Sequence, residues 1–262
     1  MKIICVFSIH RTGTNYLGSV LRQWPDLSVF GEIFHPDRVH GLKPAHLRAL
    51  ANVAGREFAT DEDPGLIPWL RAHPAGAVEA LRRVARRKEH AALYFKVFLG
   101  HWTLPVKSAI EQLAKFDGFT PVLLQRRCLD TYVSYRKAEA AGIYKHVDTT
   151  DAPEDLDPAR YAHWADVARR WYEEVLAALV AAGKPPLRVT YERDVDLPPD
   201  ALSGHWGALL ALKPPATFDP ASALSRQDRS ADLAAKIRNF AEFGEGLKRL
   251  GLWEEGQGYF VD

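Results

Sequence analysis

Two stretches of the chain carry residues of the types that hold phosphate-like anions. The first is Arg11-Thr12-Gly13-Thr14-Asn15. It lies between an apolar run, residues 3–9, and a segment of helical spacing, so its backbone N–H groups and the positive end of a helix would face one point. Gly13 lets the backbone approach closely, Thr12 and Thr14 carry hydroxyl donors, and Arg11 carries a charged fork for two oxygens. The sequence holds no Gly-x-x-x-x-Gly-Lys-Ser/Thr, and so lacks the lysine and magnesium-binding hydroxyl of a Walker A loop. The ordinary alternative is a strand-to-helix turn with a capping threonine. The second stretch is Arg126-x3-Asp130-x3-Ser134, after an apolar run at 122–125. Asp130 and Ser134 share a helix face, so Arg126 and Ser134 can converge beside the end of a strand. An arginine at a strand end and a serine in a helix are, singly, common.

These residues need elements to bring them together. The runs at 3–9, 93–99, 122–125 and 187–191 have strand length, and they alternate with helical patterns at 16–24, 76–89, 129–141, 159–182 and 231–250. That alternation predicts an α/β fold with a mainly parallel sheet. Residues 36–75 and 142–158 read as insertions that would form acceptor-side loops or plain surface excursions. The 262 residues, 47% hydrophobic, suffice for one domain spanning 1–262 with a full core.

Composition excludes several functions. Lys and Arg number 34 against 33 Asp and Glu, so affinity for nucleic acid cannot rest on bulk charge and any anion site must be local. Cys5 and Cys128 fit neither a disulfide framework nor a zinc site. The apolar start is too short for an export signal or a membrane span, so the cytoplasm is the expected compartment.

Taken together, the two anion elements resemble those of sulfotransferases that use 3′-phosphoadenosine 5′-phosphosulfate (PAPS). Residues 11–15 resemble their 5′-phosphosulfate loop, and Arg126 with Ser134 their 3′-phosphate motif. Gly31-Glu32-Ile33-Phe34-His35-Pro36 is similar to the Gly-Glu-x-Phe element of the bacterial carbohydrate type, which acts on Nod factors and trehalose glycolipids. Tyr191-Glu192 and the pair Gln227 and Asn239 also match family features. The chain departs from the cytosolic animal branch, which has Lys where Arg11 stands and a C-terminal Arg-Lys-Gly absent here. The resemblance implies a P-loop-type three-layer α/β/α fold, PAPS as donor, adenosine 3′,5′-bisphosphate as product, no metal, and a carbohydrate or small-molecule hydroxyl as acceptor. Arg11, Thr12, Gly13, Thr14, Asn15, Arg126, Ser134 and Tyr191 would then bind the donor. A small-molecule kinase or a catalytically silent nucleotide-binding protein of the same fold are the competing readings.

An attacking hydroxyl must lose its proton to a base within reach. Glu32 is the first choice, expected at the end of a short strand and over the same edge as Arg11; His35 and His101 compete with it. Lys96 and His101 occupy the strand and loop where the cytosolic branch keeps a lysine and a catalytic histidine, at a different spacing. Tyr191 would stack on adenine or close the core. Trp102, Trp164 and Trp171 would face an acceptor or fill the core. Residues 82, 83 and 86–88 form a basic stripe that is either a solvated helix face or a surface for an anionic acceptor. No motif names the acceptor or the oligomeric state, and a homodimer stays open.

Overall fold

The computed structural model describes residues 1–39, 42–142, 153–224 and 232–261. The chain runs β1 (Lys2–Phe7), α1 (Thr14–Leu21), β2 (Leu27–Val29), α2 (Pro44–Ala54), α3 (Leu66–Ala72), α4 (Pro74–Arg87), β3 (Ala92–Val97) and α5 (Val106–Ala114). It continues through β4 (Phe119–Gln125), α6 (Cys128–Ala141), α7 (Pro158–Ala181), β5 (Leu187–Thr190), α8 (Pro199–Leu210), α9 (Leu233–Lys236), α10 (Phe240–Arg249) and α11 (Trp253–Gln257).

The five strands form one sheet in the order β2-β3-β1-β4-β5, and every pairing is parallel. The apolar runs become strands because a central parallel strand is covered on both faces. Alternate residues of each strand serve the two faces. Ile3, Cys5, Phe7, Leu93, Phe95 and Leu123 pack against residues of α4 to α7, whereas Ile4, Val6, Tyr94, Val122 and Leu124 pack against α1 and α8. The result is the expected α/β/α sandwich. On leaving β1 the chain turns through α1 toward β2, and on leaving β4 it turns through α6 and α7 toward β5. The loops after these adjacent strands therefore diverge, which opens a crevice at the carboxyl edge between β1 and β4.

Three stretches differ from the periodicity or complete it. Within 36–75 the chain forms α2 and α3, whose Leu50, Leu66 and Leu70 are fully buried in the core. The expected helix over 231–250 is interrupted. Between α9 and α10, Ile237 is extended and bridges Glu154, and the Asn239 side chain clasps Leu156, its Oδ1 accepting from the Leu156 N–H and its Nδ2 donating to the Leu156 carbonyl, each at 2.9 Å. Those bonds take the place of continued helical bonding. After β5, Tyr191–Val195 forms a single π-helical turn fastened by the buried Asp194, which accepts from the Thr190 N–H at 2.7 Å. Most of the expected insertion 142–158, and Gln227, lie outside the described residues. Among the described residues, no helix is long and apolar enough to cross a membrane.

Candidate functional site

The β1–α1 loop is pinned from beneath by hydroxyls. Ser8 Oγ and the Tyr172 hydroxyl of α7 both donate to the Leu124 carbonyl at 2.8 Å, and the Ile9 N–H donates to Tyr172 at 3.2 Å. Thr12 belongs to this network: its Oγ1 donates to the Ile9 carbonyl at 2.9 Å and lies 2.6 Å from Ser8 Oγ. The Thr12 hydroxyl, expected as an anion donor, is therefore turned into the core. The loop needs two left-handed residues, Arg11 at φ 72° and Gly13 at φ 81°. Left-handed backbone at an arginine is a strained exception, the kind held where geometry serves a site.

Gly13 is the N-cap of α1 and no side chain caps the helix, so the alternative of a capping threonine does not hold. Among the described residues, the amides of Thr12, Gly13, Thr14 and Asn15 meet no acceptor. A Cβ at position 13 would lie 2.6 Å from the Tyr191 ring and 3.0 Å from Val195, so only glycine permits this close seat. Tyr191 itself is 8% exposed, and the Arg126 guanidinium lies 4.4 Å from its ring centroid. Of the two roles expected of Tyr191, the geometry is that of a floor under Gly13 and Arg126, its ring face already occupied by a cation.

The second anion element meets the first across the crevice. Arg11 Nε donates to Ser134 Oγ at 3.1 Å, and an Arg126 terminal nitrogen donates to the Arg11 carbonyl at 3.0 Å. Arg126 Nε is buried and has no acceptor among the described residues. Asp130 turns away to Lys236, 3.4 Å distant. Two of the amide groups opening α6 are already satisfied: the Arg127 N–H donates to Glu192 Oε1 at 3.1 Å and the Cys128 N–H to the Gly258 carbonyl at 3.0 Å. Glu192 also accepts from the Tyr259 hydroxyl at 3.1 Å. An anion at this corner would meet the Arg126 and Ser134 side chains.

Lys96 joins the loop to the carboxylate. On β3 it shares the parity of Tyr94, which faces α1, and its Nζ reaches Thr14 Oγ1 at 3.3 Å, Asn15 Oδ1 at 2.5 Å and Glu32 Oε1 at 3.1 Å. Glu32 arrives there because β2 pairing continues past its last residue: the Phe30 N–H donates to the Tyr94 carbonyl and the Lys96 N–H to the Gly31 carbonyl. Burial opposes the charge of Glu32, but the charge and hydrogen bond of Lys96, with help from His101 and His10, outweigh it and hold the carboxyl below the ordinary carboxylate range. His101, 1% exposed, has Nε2 at 3.7 Å from Glu32 Oε2, and burial lowers its pKa to about 3 against the pull of Glu32. His35 lies alongside, its ring centroid 6.0 Å from that of His101. Cys128 is no rival nucleophile, since burial pushes its thiol up to about 12.

The sequence reading missed His10, Ser8 and Tyr172. His10 adjoins Arg11 in the chain, yet only the placement of β2 and β3 brings Glu32 close enough for the two to interact. The three tryptophans divide. Trp171 is buried in the core, whereas Trp164 is partly buried and packs against it among the rings of Tyr132, Tyr161 and Phe260. Trp102 is partly buried against Phe7 and Phe34, near His101 in sequence. The basic stripe lies on the solvent side of α4, with Glu79 pairing Arg82 at 2.6 Å and Arg83 at 2.9 Å. Because α4 leads directly into β3, residues 86–88 stand at the amino edge of the sheet, opposite the crevice.

By sequence, no family model and no curated protein matches the chain. Among solved structures, the sulfotransferase domain from the curacin biosynthetic pathway is 15% identical with a TM-score of 0.44, covering 95% of this chain and 97% of that one. The sulfotransferase domain from the Synechococcus PCC 7002 olefin synthase is 16% identical with a TM-score of 0.44, covering 92% and 82%. A sulfotransferase from Alicyclobacillus acidocaldarius is 11% identical with a TM-score of 0.45, covering 97% and 96%.

Proposed function

We infer that this chain is a sulfotransferase that moves a sulfuryl group from PAPS to a hydroxyl of a carbohydrate or small molecule. The observation that carries the reading is the meeting of the two anion elements at the β1/β4 crevice, Arg11 Nε on Ser134 Oγ at 3.1 Å and Arg126 on the Arg11 carbonyl at 3.0 Å. A donor with phosphates at both the 5′ and 3′ positions needs two adjacent basic seats. One seat is Arg11 with the open amides of residues 12–15 and the neighbouring Lys96; the other is Arg126 with Ser134. The fit has its own marks in the close seat at Gly13 and the buried Arg126 Nε, which lacks an acceptor among the described residues.

The chemistry asks little covalent work of the protein. The acceptor oxygen forms a bond to sulfur as the bond between sulfur and the phosphate oxygen breaks, and the leaving group is adenosine 3′,5′-bisphosphate. Charge grows on that phosphate oxygen, where Arg11, Lys96 and the loop amides supply fixed positive potential. The hydroxyl proton goes to Glu32, which its neighbours keep ionised. Although a depressed pKa makes Glu32 a weak base toward a free alcohol, the oxygen turns strongly acidic as it bonds sulfur, so the proton moves downhill late in the step.

The test is incubation with PAPS and a panel of sugars, glycolipids and simple alcohols, with sulfated product and bisphosphate read by mass spectrometry. Equal amounts of the two, formed only with acceptor present, are expected. Phosphoryl transfer from ATP with magnesium, with PAPS inert, would overturn the reading.

A further inference from the structure

The ring of His101 is held from several sides. Glu32, His10, His35 and Lys96 are the titratable groups that act on it, and Arg71 Nε fixes its main chain by donating to the His101 carbonyl at 2.9 Å. The Phe98 N–H donates to Nδ1 at 3.2 Å. A ring nitrogen that accepts from an amide carries no proton, so the neutral imidazole bears its proton on Nε2. That nitrogen is buried without a hydrogen-bond partner among the described residues. Glu32 Oε2 stands 3.7 Å from it, slightly beyond hydrogen-bond reach. Catalytic contacts of this kind are commonly long before substrates bind and tighten afterward.

We propose that His101 is a positioning residue, not the base: its Nε2–H closes on Glu32 Oε2 while Lys96 holds Oε1, and the pair aims the carboxylate at the acceptor hydroxyl. This rests on the reading of Glu32 as the base of a sulfotransferase. A carboxylate has lone pairs to spare, so both oxygens can accept from these donors and one still take a proton. His101 is poorly suited to take it, because its one unprotonated nitrogen already faces the Phe98 amide. Its burial also disfavours an imidazolium.

The discriminating pair is His101→Ala and His101→Gln. The side-chain amide of Gln can reach the Nε2 position and donate there, but it cannot act as a base at neutral pH. His101→Ala is expected to lower kcat about ten- to hundredfold, the worth of one hydrogen bond to a charged group. His101→Gln should recover most of that loss, with the affinity for adenosine 3′,5′-bisphosphate equal in both. Nitrogen-15 NMR of the wild-type ring should find the Nε2–H tautomer throughout pH 5–8. A Gln variant as slow as the Ala variant, or a ring that titrates within that range, overturns the positioning role alone. A wild type that transfers no sulfuryl group removes the Glu32 reading and this role with it.

Discussion

Glu32→Gln is expected to lower kcat by about 10²–10⁴-fold, the span of general-base contributions, and to leave bisphosphate affinity near the wild-type value. The split follows from the geometry. Among the described residues Glu32 pairs with Lys96 at the donor seat, and the Gln carbonyl can still accept from that ammonium, whose other bonds to Thr14 and Asn15 remain. What Gln cannot do is take a proton. Steady-state kinetics together with a bisphosphate titration of the same preparation check both halves. A variant with near-normal turnover would remove Glu32 from the role and return attention to His35.

Lys96→Met is expected to act on stability and on pH dependence at once. The side chains of Lys96 and Glu32 are 5% and 14% exposed, so methionine fills the volume but leaves a carboxylate largely buried without its cation. Breaking such a pair by removing one member costs about 3–5 kcal/mol, measurable by urea unfolding. The sign of the pH effect is fixed by the same contacts. In the wild type Lys96 heads the groups that outweigh burial, and the pKa of Glu32 lies below its ordinary value of 4.5. The base works ionised, so activity falls only as pH drops through that depressed pKa. Without Lys96, burial is opposed only by the weaker pull of His101 and His10 and the pKa rises, which moves the acid limb of the kcat profile upward. An unshifted limb with unchanged stability would contradict the role given to Lys96.

How far the sequence alone reached depended on whether a feature was local. The strands around residues 3–9, 93–99 and 122–125 were legible because strands covered on both faces are continuously apolar, and the loop at 11–15 followed from the break after the first of them. Arg126 and Ser134 were legible because one directly follows β4 and the other lies eight residues on, in α6. α2 and α3 were hidden because they are short, 11 and 7 residues, and lie in a stretch rich in Pro, Gly and His. The interruption between α9 and α10 depends on Asn239 gripping Leu156, a contact 83 residues away in the chain. The same distance argument covers the site. The Thr12 hydroxyl turns inward because Ser8 and Ile9 receive it over a floor built by Tyr172, and Lys96 meets Asn15 only because β3 lies beside β1.

The most direct measurement is a calorimetric titration with adenosine 3′,5′-bisphosphate, 5′-AMP, and ATP with magnesium, on the wild type and on Arg126→Ala. The bisphosphate is expected to bind about ten- to hundredfold more tightly than 5′-AMP, as one charge-assisted contact to the 3′-phosphate warrants, and the Arg126→Ala variant to lose that preference. Tightest binding of ATP with magnesium, indifferent to the loss of Arg126, would contradict this and support a kinase instead.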